Sequence, residues 1–321
     1  MDGNFTVTQD DMLQAVRESA LLANVTIGMF NAEKSDRTMM EKVKQDAQAT
    51  GDVGRFVKNI MAGVDDKLKN TRNAFAKVRT LHYSLTLPWV SDPHAERQTG
   101  PRLLPHLLLD TYLNTLSMQK RVAMGLLEEF LAEYPTLVGQ AKTNLGSMAD
   151  ADYPGVDDIR RQFRIHFDFE PIPAGASFKS LSDHVMERLT KSLQARQARM
   201  VETASQAMWD EIRARVGHMV DRLEEREDAL PGGTSVGRAG AGHTTSATGK
   251  INRFKKSTIE NVRELITLLP GWNLAGAPEV TQVIEDIRNM LEGVDAESLR
   301  KDAHARAGVL AQAKSIMERI G

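Results

Sequence analysis

Val201-Glu-Thr-Ala-Ser-Gln-Ala-Met-Trp-Asp-Glu-Ile-Arg-Ala-Arg-Val-Gly-His-Met-Val-Asp-Arg-Leu223 decides the fold. Its apolar residues at 201, 204, 208, 212, 216, 220 and 223 recur three or four positions apart, one stripe of an α-helix. The stripe extends back through Leu181, Val185, Leu189 and Leu193. From Ser177 to Leu230 there is no Pro, and Gly217 is the only Gly. The spacing therefore predicts one helix about 80 Å long at 1.5 Å per residue. Steps of four dominate over an alternating three and four, so the stripe is not the strict heptad of a left-handed coiled coil.

Such a stripe needs cover, and the chain supplies it downstream. Ile259, Val262, Leu265, Ile266 and Leu269 mark one helix. Val280, Val283, Ile284, Ile287 and Leu291 mark a second, and Leu299, Ala303, Leu310, Ala313 and Ile316 a third. Short connections at Pro270-Gly-Trp-Asn273 and Gly293-Val-Asp295 predict antiparallel neighbours. Before them, residues 231–249 consist mostly of Gly, Ser, Thr and Ala, the composition of a flexible connector.

The first half is also mostly helical. A helix starts near Thr8 and Asp11, and Ser35 or Asp36 caps a polar helix to about residue 49. A further helix is expected from Val53 to Val78, and a strongly apolar one from Arg102 to Glu133, interrupted at Pro135. Two runs break the helical period. Leu81, Tyr83, Leu85, Leu87 and Trp89 share one parity, as do Phe163, Ile165, Phe167 and Phe169. Side chains alternate across a strand, so each run has one apolar face, and the two are expected to pair as an antiparallel ribbon. The brief alternation Val25-Thr-Ile-Gly-Met29 suggests a third strand. The expected fold is mainly α: a helical bundle with one very long helix and a small β ribbon at about 22–31, 80–89 and 162–171. The expected division is a helical body, 1–176, and a long-helix arm with its bundle, 177–321.

Composition narrows function more than it defines it. The 321 residues are 41% hydrophobic and 26% charged, with aromatics at 5% and 15 Met, a mix suited to helix packing. A net charge of −2 gives no global field toward nucleic acid or anionic membrane. The absence of Cys excludes disulfides, thiolate metal sites and cysteine nucleophiles. No signal-peptide pattern opens the chain and no apolar run approaches the ~20 residues of a membrane span, so the expected location is the cytoplasm.

Motifs of known chemistry fail on context. Gly233-Thr-Ser-Val-Gly237 matches a nucleophile elbow literally but lies in the Gly-rich connector with no strand before it. Thr248-Gly-Lys250 lacks the first Gly and the following Ser or Thr of a phosphate loop. His82, His166 and Asp168 lie on the polar faces of the two expected strands, where pairing would gather two imidazoles and a carboxylate for a metal. A solvated or locally hydrogen-bonded polar face is the favoured reading of them, and no cofactor, metal or catalytic residue is expected. Lys250, Arg253, Phe254, Lys255 and Lys256 stand just before a helix start marked by Ser257 and Glu260. Positive charge there opposes the helix dipole, which makes this segment the candidate contact for an acidic partner or a phosphate backbone.

The order Thr86-Leu-Pro-Trp89, Gly100-Pro-Arg-Leu-Leu-Pro105, Tyr153-Pro154, Phe163 and Phe169-Glu-Pro-Ile-Pro173 resembles a phage and prophage protein family of unknown function. Its members are often encoded near MoxR- or cobaltochelatase-type AAA+ ATPases and von Willebrand A-domain proteins. Weaker similarity continues through Ser257-Thr-Ile-Glu-Asn-Val262 and the Leu268 to Ala275 corner. The family has no established catalytic residues to carry over, and the Gly-rich connector looks like an insertion. The resemblance implies a non-enzymatic adaptor or substrate of an AAA+ partner, with a von Willebrand A-domain protein as a further partner. A nucleic-acid-binding protein, a virion or assembly component, and a metal enzyme centred on His82, His166 and Asp168 are the alternatives. Oligomeric state is left open.

Overall fold

The computed structural model describes residues 9–51, 54–91, 100–149, 153–173, 183–227, 255–274 and 276–321. In chain order the elements are α1 (Gln9–Ser19), β1 (Ala20–Gly28), β2 (Glu33–Ser35), α2 (Arg37–Asp46), β3 (Val57–Asn59), α3 (Asp66–Leu85), β4 (Leu87–Pro88) and β5 (Arg102–Pro105). A short 3₁₀ turn, His106–Leu108, leads into α4 (Leu109–Leu145). Then come α5 (Val156–Gln162), β6 (Arg164–Glu170), α6 (Asp183–Glu227), α7 (Lys256–Trp272), α8 (Pro278–Met290), α9 (Ala296–Lys301) and α10 (Ala303–Ile320). The protein is mainly α, with one very long helix and a small sheet. Two compact units share the chain: Met1–Leu22, Thr86–Leu109 and Glu170–Gly321 form the first, and Ala23–Leu85 with Asp110–Phe169 the second.

In the first unit α6 runs unbroken through Gly217 for 45 residues. From Val201 onward its stripe is buried at Ala204, Met208, Ile212, Val216, Met219 and Leu223. Met219 takes the place expected for Val220, which is half-buried. α7 and α10 pack on this stripe, as does α1, whereas α8 packs against α7 and α10. Each fully buried Leu, Ile or Val contributes roughly 1.5–3 kcal/mol. Polar ties fix the register. Arg215 donates to Glu211 at 2.6 Å and to the Asn261 carbonyl at 3.0 Å, and Lys314 pairs with Glu224 at 2.6 Å.

The expected third cover helix is split in two at Asp302, whose carboxylate accepts from the amides of His304 (2.8 Å) and Ala305 (3.1 Å) to cap α10. The expected break at Pro270 is also displaced, since α7 continues to Trp272. The corner to α8 is held by Asn273, whose side chain accepts from the Ala277 amide at 2.8 Å and donates to its carbonyl at 3.0 Å. At Gly271 a Cβ would stand 2.7 Å from Leu108 Cγ, so only glycine allows this approach.

In the second unit, the expected strand at 81–89 is helix for half its length. Leu68, Thr71, Phe75, Val78, His82 and Leu85 form one continuous buried face of α3. His82 is 3% exposed and Tyr83 is 47% exposed, the reverse of the expected parity. Apolar spacing of three and four ending at Leu85 overlaps a period-two pattern, and the helical period won because α4 buries that face. Gln119 of α4 donates to the Ala74 carbonyl at 3.0 Å and Thr71 donates to the Leu126 carbonyl at 3.1 Å. The expected helix from Val53 to Val78 is likewise shortened, because Val57–Asn59 pairs antiparallel with β2 and α3 starts only at Asp66. Lys58, 8% exposed, ties that two-stranded ribbon to the N-cap of α2, bonding Asp36 at 2.8 Å and the Met148 carbonyl at 2.8 Å.

Pro135 does not interrupt α4. A proline inside a helix costs about 3 kcal/mol. Burial of Phe130, Leu131, Tyr134 and Ala141 on both sides of it holds the helix together.

The large sheet has the order β4-β5-β1-β6. The two runs expected to zip together therefore do not pair. Leu87 and Pro88 lie antiparallel to Leu103 and Arg102, and β6 neighbours β1. Strand β1, expected at about 22–31, starts two residues earlier, at Ala20, and ends at Gly28. Leu22 and Ala23 are both buried, so both faces are covered there and the alternation that flags a strand is lost. Arg102 clamps the β4 end through Thr86 Oγ1 at 2.8 Å and the Thr86 carbonyl at 2.9 Å.

Candidate functional site

His82, His166 and Asp168 are not brought together. His82 sits on α3, its Nδ1 2.9 Å from the Tyr112 hydroxyl of α4. Burial pushes the Tyr112 phenol well above its ordinary range. The strand β6 places His166, exposed, and Asp168, half-buried, two residues apart on one face, with Nε2 and Oδ1 at 2.9 Å. Among the described residues no group of three His, Asp or Glu side chains is arranged to hold a metal ion. Sequence parity failed here because it treated a buried helical histidine as a strand residue.

The basic segment divides. Lys250, Arg253 and Phe254 lie outside the described residues, as does the connector 231–249 with its two literal motif matches. Lys255 is the N-cap of α7 and Lys256 its first residue, both exposed. The helix begins two residues earlier than the Ser257–Glu260 box implies, and the N-cap offers no side-chain acceptor. Glu260 instead meets Lys256 at 3.1 Å across one turn, which offsets part of the charge set against the helix dipole.

The N-terminal third of α6 is the more distinctive surface. On the packed part of the helix the buried stripe runs through Ala204, Val201, Met200 and Gln197. Gln197 closes it, accepting from Arg17 of α1 at 2.8 Å and donating to the Pro173 carbonyl at 2.8 Å. The same stripe continues to Leu193 and Leu189, one and two turns farther out. There Glu187 to Arg196 is exposed at every position except Leu193, which is half-buried. Leu189 is 38% exposed. Around these two leucines stand Arg188, Lys191, Arg196 and Arg199, all exposed, with Lys191 paired to Glu187 at 2.7 Å. An apolar stripe at i, i+4 bordered by basic residues is what an amphipathic helix presents to a partner groove. Arg188, Arg196 and Arg199 stand on the solvent side of the helix. The point at which the stripe loses its cover was not visible in the spacing, because Leu189 and Leu193 repeat as regularly as the buried positions.

No protein-family model, curated protein or solved structure matches the chain. Among the described residues no helix is long and apolar enough to cross a membrane.

Proposed function

We propose that the chain is a non-enzymatic interaction protein whose work is docking, with the outer part of α6 as its principal contact surface. One observation carries this reading: among the described residues the apolar stripe of α6 runs beyond the helices that cover it, to Leu193 and Leu189 among basic side chains. Lys255 and Lys256, exposed at the start of α7, form a second contact with Lys250, Arg253 and Phe254 preceding them in sequence. The motif order quoted from Thr86 to Pro173 supplies the partner class, a MoxR-type AAA+ ATPase in the cytoplasm of a phage-infected or lysogenic cell.

Charged substitution of the stripe tests this. Leu189→Glu with Leu193→Glu leaves the buried part of α6 untouched. It is expected to abolish co-elution with a MoxR-type ATPase encoded beside this chain, or to weaken binding at least about tenfold. Undiminished binding by the double variant, or no binding by the parent chain and no change in the ATPase's turnover, removes the proposal.

A further inference from the structure

We infer that α4 carries a self-association surface whose occupant is the α4 of a second copy of this chain, laid antiparallel across a two-fold axis. This is independent of the docking surface on α6. The buried face of α4 holds Tyr112, Leu116, Gln119, Ala123 and Leu127. On the opposite face Thr111, Asn114, Ser117, Met118, Val122 and Gly125 are all exposed. Met118 is 59% exposed and Val122 is 50% exposed, one turn apart on the same side. An outward helix face normally carries lysine and glutamate. Here, among the described residues, Asp110 and Arg121 are the only charged residues exposed on α4 as far as Gly125. Bare apolar side chains on such a face mark a contact surface.

The two charges point to a second copy as the occupant. Asp110 and Arg121 are eleven residues apart. That is three helical turns, so both stand on one side of the face. Among the described residues neither meets an opposite charge. Antiparallel pairing centred at the level of Thr115 and Leu116 sets Asp110 of each copy against Arg121 of the other. The same contact then forms twice, as an isologous interface requires. Parallel pairing would set Asp110 against Asp110 and Arg121 against Arg121.

The rest of the face agrees with this register. Asn114 falls beside the axis, its counterpart about 4.5 Å farther along the helix direction at 1.5 Å per residue. A side-chain amide both donates and accepts, so the two asparagines can bond each other, and a polar residue at that place fixes register and direction. Met118 and Val122 lie on the other side of the axis from the ion pairs, where they meet Thr111 of the second copy. Three turns from each helix make a small interface, so the dimer is weak and depends on concentration.

Sedimentation velocity of the full chain over about a hundredfold range of concentration tests this, and the expected result is a monomer–dimer equilibrium that stops at dimer. Met118→Lys is expected to weaken association at least about tenfold. Arg121→Glu creates two like-charge contacts and is expected to weaken it at least about tenfold, whereas Arg121→Glu with Asp110→Lys reverses both pairs and should return to within about threefold of the parent. All these positions are exposed, and circular dichroism melts matching the parent's establish that the variants fold. The chain has no Cys, so single cysteines report the register. Asn114→Cys is expected to form an interchain disulfide under mild oxidation, and Gly125→Cys, about 28 Å from its counterpart, is not. A chain that stays monomeric, association that grows past dimer, or a dimer indifferent to Met118→Lys overturns the inference. Loss of the dimer in Leu189→Glu with Leu193→Glu also overturns it, by moving association to α6. Failure of the charge exchange to restore the dimer, or cross-linking through Gly125→Cys in place of Asn114→Cys, overturns the antiparallel pairing on which the inference stands.

Discussion

Replacing His82 with leucine should destabilise the second unit by more than loss of the imidazole alone explains. Tyr112 is fully buried, and its hydroxyl lies 2.9 Å from His82 Nδ1. Leucine fills much of the imidazole's space but offers no polar atom, so the Tyr112 hydroxyl is stranded at a cost of about 1–3 kcal/mol. Converting the tyrosine as well, in His82→Leu with Tyr112→Phe, removes the stranded group. The double variant should then be more stable than the sum of the single effects implies, by about 1 kcal/mol or more. The chain provides its own assay. Its four tyrosines, at 83, 112, 134 and 153, all fall in the second unit, and its three tryptophans, at 89, 209 and 272, all fall in the first. Tyrosine second-derivative absorbance during urea unfolding therefore follows the unit that contains the pair, and tryptophan emission follows the other. The expected outcome is a lowered tyrosine midpoint for His82→Leu that is partly restored in the double variant. Strict additivity of the two substitutions, within about 0.5 kcal/mol, would refute the claim that this hydrogen bond matters. Stoichiometric zinc binding lost in His82→Leu would refute the structural role assigned to His82.

Three further outcomes follow from the same geometry. Tyr134 is 3% exposed and its hydroxyl has no hydrogen-bond partner, so Tyr134→Phe should raise the tyrosine-monitored stability by roughly 1 kcal/mol. Burial, with Tyr153 adding to it, pushes the Tyr134 phenol up to about 12 from 10.0. Its raised value means the stability contribution is intact below 10.0 and is lost as pH rises toward 12, and Tyr134→Phe should flatten that alkaline decline. The amides of Ala305 and His304 hold the Asp302 carboxyl below its ordinary value of 3.8. The support it gives α10 is present above that value and disappears as pH falls through the lowered one; Asp302→Asn should remove this acid dependence in circular dichroism while Asp302→Ala weakens α10 at all pH values. Gly271→Ala gains up to about 1 kcal/mol of helix propensity but forces the new methyl against Leu108, at about 1–3 kcal/mol. The net effect should be a lowered midpoint in tryptophan emission, and an unchanged or raised one would show that Leu108 yields freely.

Local sequence determined a good deal of this protein. The uninterrupted stripe from Ser177 to Leu230 is enough for a long helix, because a period of three and four with no helix breaker has no competing solution. The Asp36 cap of α2 and the strand at Arg164–Glu170 were legible for the same reason: the former needs one side-chain acceptor and the latter one alternating run closed by Pro171. Each is a property of neighbouring residues.

Tertiary structure decided the rest, and each case turns on a partner distant in the chain. Residues 81–85 satisfy both periods, and only burial against α4 selected the helix that puts His82 inside. Pro135 breaks helices as an isolated residue, yet contacts on either side of it carried α4 through. Strand β6 needed a partner, and the sheet gives it β1, a strand the alternation at 25–29 had marked, where the sequence had paired it with the run at 81–89. Leu189 and Met208 occupy equivalent positions of one stripe, but Met208 is 4% exposed and Leu189 is 38% exposed because, among the described residues, only the former is reached by other helices. Spacing specifies which face of a helix is apolar; what meets that face, or leaves it bare, depends on where the rest of the chain comes to lie.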